Sequence, residues 1–224
     1  MDEPTLRQAA AEFLSKVTGG VIKEIDQLLA LPVREFRFRN TVNTTLRCQK
    51  FLESKGLQPE QLSGELRDIV PLLENASLED RPELQDLFAK LLAASLTPEF
   101  DNDQTPKYHE IMKGLSPLDA KILQLLFDER EELRRRPPAS WGRSPYQLRT
   151  IGTRSAAEFL GVSDDASLQS VNSLYSQGLV SLYPSENRDK EGFGDPSGLQ
   201  STEKISLTPL GKGFMQRIAY FDTD

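Results

Sequence analysis

Between residues 130 and 154 the chain carries seven arginines, Arg130, Arg134, Arg135, Arg136, Arg143, Arg149 and Arg154, opposed only by Glu131 and Glu132. Trp141 and Tyr146 add flat aromatic surfaces, and Pro137-Pro138 and Ser144-Pro145 stiffen the segment. Guanidinium groups interleaved with aromatics can bind phosphates, track a nucleic-acid strand or meet an acidic protein face. A solvated loop, or one lying on the chain's own acidic surface, accounts for the same residues without a ligand and carries slightly more weight. The segment's net charge is +5 against -7 for the whole chain, which leaves -12 for the remainder.

Catalytic groups are sparse. His109 stands between Tyr108 and Glu110 with Lys107 and Lys113 nearby. An acid-base histidine needs a nucleophile or an orienting acid, and no spacing here supplies one, so a packed or surface histidine is expected. Cys48 lies close to Arg47 and Lys50; cations favour a thiolate, but a cysteine inside a helical stretch is expected to be an unreactive core residue. One cysteine rules out an intramolecular disulfide and a Cys-rich zinc site, and one histidine leaves no His pair for a metal. Gly19-Gly20 and Gly192-Phe193-Gly194 lack the setting of a nucleotide loop, and Asp101 and Asp103 form no EF-hand pattern. The expectation is a protein that is not an enzyme, with no catalytic residue, metal or cofactor.

The composition, 38% apolar and 27% charged over 224 residues, is that of an ordinary globular chain of one large domain or two small ones. No run approaches the roughly 18 apolar residues of a membrane span. The start, Met-Asp-Glu-Pro, lacks the basic and apolar regions of a signal peptide, so a cytoplasmic location is expected. A net charge of -7 disfavours non-specific binding to nucleic acid or anionic lipid.

The elements that must position these residues read as mainly helical. Phe13, Leu14, Val17, Val21, Ile25, Leu28 and Leu29 recur at helical steps, predicting a helix from about Leu6 to Leu31, interrupted by Gly19-Gly20 and ended by Pro32. Its polar face mixes Lys16 and Lys23 with Glu12, Glu24 and Asp26, so packing on a neighbour explains it better than a membrane surface. A second helix runs from about Val33 to Ser54, with Lys55-Gly56 as its C-terminal signal and Arg34, Arg37 and Arg39 on its exposed face. A third apolar run through Leu66, Ile69, Val70, Leu72 and Leu73 stops and restarts in the segment 74–83, where Asp80 is the expected cap, with Pro82 and Glu83 following it. The restarted helix continues to Pro98, and a short helix covers 107–113. A domain boundary then falls near 115, giving a helical domain over 1–115 and a second domain over 116–224.

Ser116-Pro117-Leu118-Asp119 opens the second domain with a capping signature for a helix to about Leu133. Helices over Thr153–Leu160 and Asp164–Gln177, stopped by Gly161 and Gly178, follow at helix-turn-helix spacing, with Ala157, Leu160, Leu168, Val171 and Leu174 buried. Strands at 179–183 and 204–207 flank a polar loop, a small β-hairpin wing, and a last helix starts at Thr208-Pro209. The fold class is thus mainly α, a helical N-terminal domain followed by a winged-helix-like C-terminal domain with an Arg-rich linker at 130–154. In a DNA-binding winged helix the second helix of the pair enters the major groove. The outward positions expected here are Asp165, Ala166, Gln169, Ser170, Asn172, Ser173, Ser176 and Gln177, with no Lys or Arg, and Asp164 and Asp165 occupy the phosphate-facing end. Gln169 and Asn172 suit adenine edges, but the phosphate contacts that supply much of the affinity are missing.

Three segments, residues 71–94 (Pro-Leu-Leu-Glu-Asn-Ala-Ser-Leu-Glu-Asp-Arg-Pro-Glu-Leu and onward to Ala94), Leu115-Ser-Pro-Leu-Asp-Ala-Lys-Ile-Leu123 and Ile205-Ser-Leu-Thr-Pro-Leu-Gly-Lys-Gly-Phe214, together resemble the bacterial Abi-alpha family associated with abortive infection. The first is the most specific, whereas a Leu-Thr-x-x-Gly exit is common to many winged-helix proteins. The resemblance implies a role in antiviral defence and brings no catalytic motif with it. The functional expectation is a non-enzymatic interaction protein acting through protein contacts or self-association, its partner a phage or host protein or a second copy. The alternative is a nucleic-acid-binding regulator that uses the 130–154 arginines and the wing.

Overall fold

The computed structural model describes residues 3–17, 35–100, 102–135, 150–183 and 204–222. They are mainly helical, with a small three-stranded antiparallel sheet. The chain divides into two compact units, one of Met1–Leu115 with Gln216–Asp224 and one of Ser116–Met215.

The first unit contains α1 (Glu3–Val17), α2 (Glu35–Ser54), α3 (Leu66–Ser77), α4 (Pro82–Leu96) and α5 (Thr105–Gly114), with 3-10 turns at Pro59–Gln61 and Asn102–Gln104. Helix α2 packs against α1, α3 and α4. Its inner stripe, Thr41, Val42, Thr45, Cys48 and Leu52, is buried. Threonines are tolerated there because Thr41 Oγ1 donates to the Arg37 carbonyl and Thr45 Oγ1 to the Thr41 carbonyl, both at 2.9 Å, so neither hydroxyl is orphaned. Helix α4 supplies Leu84, Phe88, Leu91, Leu92 and Leu96, all buried. The α2 stop is the expected one: Gly56 takes φ 71°, and the Leu57 amide returns to the Leu52 carbonyl at 3.0 Å. Helix α1 starts at Glu3, ahead of the expected Leu6. Gly19-Gly20, Pro32 and Arg34 lie outside the described residues.

The restart before α4 corrects one expectation. Arg81, not Asp80, occupies the cap position, and no side chain caps the helix. Pro82 is the first helical residue, which moves Asp80 one place outside the cap.

The second unit begins with α6 (Pro117–Arg135), two residues longer than expected. There follow β1 (Ile151–Gly152), α7 (Thr153–Leu160), α8 (Asp164–Ser176), β2 (Val180–Tyr183), β3 (Lys204–Leu207) and the start of α9 (Pro209–Ala219). The strand order is β1-β3-β2, with Val180 opposite Leu207, Tyr183 opposite Lys204 and Ile151 opposite Ile205. The expected hairpin thus gains a third strand, two residues long and too short to leave an alternating pattern. Gly161 and Gly178 stop α7 and α8 region turns with φ 65° and 72°. The loop between the hairpin strands, 184–203, lies outside the described residues.

Thr208 caps α9: its Oγ1 accepts from the Gly211 amide at 3.0 Å and donates to the Gly178 carbonyl at 2.7 Å. A Cβ on Gly211 would stand 2.1 Å from the Leu179 carbonyl oxygen, so this helix can approach the start of β2 only with glycine there.

Candidate functional site

The helix pair α7–α8 is positioned by its polar interior. Ser163 caps α8 by accepting from the Ala166 amide at 3.2 Å. Ser167 Oγ donates to the Thr153 carbonyl at 3.2 Å, tying α8 to the first residue of α7. Ser170, expected to face outward, is buried and donates to the Asp119 carboxylate. Asp119 is itself buried, and its second carboxylate oxygen accepts the Ser116 amide at 2.8 Å while Ser116 Oγ accepts the Asp119 amide at 3.1 Å. The expected capping box is present, and its carboxylate also holds the partner helix. Of the expected apolar set, Ala157, Val171 and Leu174 are buried, and Leu160 and Leu168 are half-buried.

What remains outward on α8 is Asp165, Gln169, Asn172, Tyr175 and Ser176. Asp164 Oδ2 sits 3.4 Å from Arg154 Nε. The arginine nearest in sequence to this face is therefore partly neutralised by the helix it flanks.

The other arginines are placed unevenly. Arg130, half-buried, Arg134 and the exposed Arg135 lie in the last two turns of α6. Arg136, Arg143 and Arg149, with Trp141 and Tyr146, lie outside the described residues. Among the described residues no group of three His, Cys, Asp or Glu side chains is arranged to hold a metal ion, and no helix is long and apolar enough to cross a membrane.

His109 and Cys48 are both buried in the first unit. Burial, reinforced by Lys113 and opposed by Glu110, lowers the His109 pKa to about 4, so its imidazole is neutral at physiological pH. Its Nε2 has no hydrogen-bond partner. Burial pushes the Cys48 thiol far above its ordinary range, which removes the thiolate that nucleophilic chemistry needs. Asp68 is a buried carboxyl that sequence reading passed over; neither oxygen has a hydrogen-bond partner, and burial raises its pKa against the opposing pull of Arg67.

The most distinctive sequence segment forms a pinned turn. Asn40 Nδ2 donates to the carbonyls of Ser77, at 3.3 Å, and Glu79, at 2.8 Å, and Gln85 Nε2 donates to the Glu79 carbonyl at 2.7 Å. The Glu79 carboxylate accepts the Arg81 amide at 2.9 Å and both Nε and Nη2 of Arg81 at 2.7 Å. That fork holds the Glu79 carboxyl below its usual range. Sequence spacing could not reveal Asn40, which lies 39 residues from Glu79.

No curated protein and no solved structure matches the chain. A family model does, described as Abortive infection alpha (Abi_alpha), over residues 39–218. Because that match covers most of the chain and includes the pinned turn, the Asp119 cap and the Thr208 exit, the chain belongs to the abortive infection alpha family.

Proposed function

We propose that this chain is a non-enzymatic interaction protein in an abortive-infection pathway of the bacterial cytoplasm, working through protein contacts or self-association. The family membership supports the pathway. The outward face of α8 carries the argument for mechanism: Asp165, Gln169, Asn172, Tyr175 and Ser176 offer phosphates no cation, and Asp164 opposes them. The strand order β1-β3-β2 around α7 and α8 supports a winged-helix arrangement for this unit. Phe159, Tyr175 and Tyr183 remain exposed on it, and exposed aromatics suit a protein partner better than a phosphate backbone.

The arginines of 130–154 favour a second reading, a regulator that binds nucleic acid through that segment and the wing. A titration with duplex and single-stranded oligonucleotides at low salt separates the two. The protein-contact reading expects no binding; binding that weakens steeply with salt and disappears when Arg134, Arg135 and Arg136 become alanine replaces it with the second.

A further inference from the structure

Phe159 is the most exposed large apolar side chain among the described residues, at 74%, and it stands in the last turn of α7. Only Gly161, Val162 and Ser163 separate that turn from α8, so Glu158 and Phe159 close one helix where Asp164 and Asp165 open the next. The connection is held in one conformation. Gly161 takes φ 65°, the Val162 amide returns to the Ala157 carbonyl at 3.0 Å, and Ser163 caps α8. Glu158 and Asp165 are exposed, and neither carboxylate has an ion pair or hydrogen bond among the described residues. Three carboxylates, Glu158, Asp164 and Asp165, against the one guanidinium of Arg154 leave the ring of Phe159 beside a net charge of -2.

The same chain carries a segment of the opposite character. Residues 134–149 contain five arginines, Arg134, Arg135, Arg136, Arg143 and Arg149, and no Asp or Glu, a net charge of +5, with Trp141 and Tyr146 among them. An exposed phenylalanine beside unpaired carboxylates selects this composition, because guanidinium and aromatic groups stack on the ring while the acids supply the ion pairs. Arg154, five residues past Arg149, already meets Asp164 at 3.4 Å, so one guanidinium of the arginine-rich stretch is placed at this acidic end. We infer that Glu158, Phe159 and Asp165 at the α7–α8 turn form the docking face for the arginine-rich segment 134–149 of a second copy of this chain. Each copy has one segment and one face, so two chains exchange them reciprocally and close as a dimer with two identical contacts. The inference rests on the protein-contact reading and names the partner as a second copy.

The test is sedimentation velocity of the full chain over a concentration series, with two charge-reversed variants. One carries Glu158→Arg and Asp165→Arg, the other Arg134→Glu, Arg135→Glu and Arg136→Glu. The native chain is expected to dimerise at about 50 mM salt and to separate at about 500 mM, where exposed charges are screened. Each variant alone should need at least about tenfold more protein to dimerise. Mixed one to one, the two variants should pair with each other, because both contacts regain opposite charges. A native chain that stays monomeric up to about 100 μM at low salt overturns the inference. So does a dimer that either variant leaves unweakened, or a mixture that does not pair. Should a charge variant lose its helical circular dichroism, Phe159→Ser decides: it must move dimerisation to about tenfold higher concentration, and an unmoved equilibrium overturns the inference. A monomer that oligonucleotides also leave unchanged removes this inference alone and leaves the protein-contact proposal standing, whereas oligonucleotide binding removes the proposal beneath it.

Discussion

The Ser170 hydroxyl donates to the Asp119 carboxylate, joining the middle of α8 to the first turn of α6 across 51 residues of sequence. The same carboxylate caps α6 through the Ser116 amide. Helix start and helix packing therefore depend on one buried acid.

Asp119→Ala removes a cap and strands a buried hydroxyl. The expected loss is about 2 to 4 kcal/mol, combining a cap with an unsatisfied group. Ser170→Ala should cost less, about 1 to 2 kcal/mol, because the carboxylate keeps its cap bond. Urea unfolding followed on the second unit measures both, and equal losses would contradict this by showing that the cap bond adds nothing to the packing contact.

Gly211→Ala places a methyl against the Leu179 carbonyl oxygen, where the Cβ would stand at 2.1 Å. Backbone cannot rotate away as a side chain does, so α9 must shift. A loss of about 1 to 3 kcal/mol is expected, with disturbed amide signals at Leu179 and Thr208. An unchanged stability would mean that the helix does not approach β2 this closely.

How much of this was legible in sequence depended on range. The Ser116-Asp119 box, the glycine stops at 56, 161 and 178 and the Thr208 cap are local patterns, each set by groups within five residues. The periodicity of α8 by itself puts Ser170 outward, and only the arrival of Asp119 makes a buried serine favourable. Asp80 has the residue type of a cap, but Pro82 fixes the helix start and puts Arg81 at the cap position, and Glu79 turns back on Arg81. The burial of Phe221 has no local signature, since the ring it meets, that of Phe51, lies far upstream.

The neutral His109 makes the first unit sensitive to acid. In the unfolded chain the imidazole takes a proton near its ordinary 6.5, whereas in the fold it does so near 4. The unfolded state thus binds more protons between those values, and stability falls as pH drops from about 6.5 to 4. Above that window the group contributes no pH dependence. His109→Gln should flatten this part of the profile in thermal melts taken across it, and an unaltered slope would show that the imidazole is not the proton acceptor.

Asp68 has the opposite sign. Its carboxyl pKa is raised in the fold, so its contribution is complete below the ordinary carboxylate value and is lost as pH rises through the folded value. Asp68→Asn is expected to raise the melting temperature at neutral pH, with the gain shrinking toward pH 3. A variant less stable at neutral pH would contradict this, revealing a partner for the charged form.

The central claim, that the chain acts through protein contacts and not through nucleic acid, is tested most directly by light scattering of the purified chain at low salt, with and without a short oligonucleotide. The account predicts a mass at 25.2 kDa or a multiple of it that the oligonucleotide does not change. A monomer whose mass rises by that of the added strand would contradict it and transfer the function to the arginines of residues 130–154.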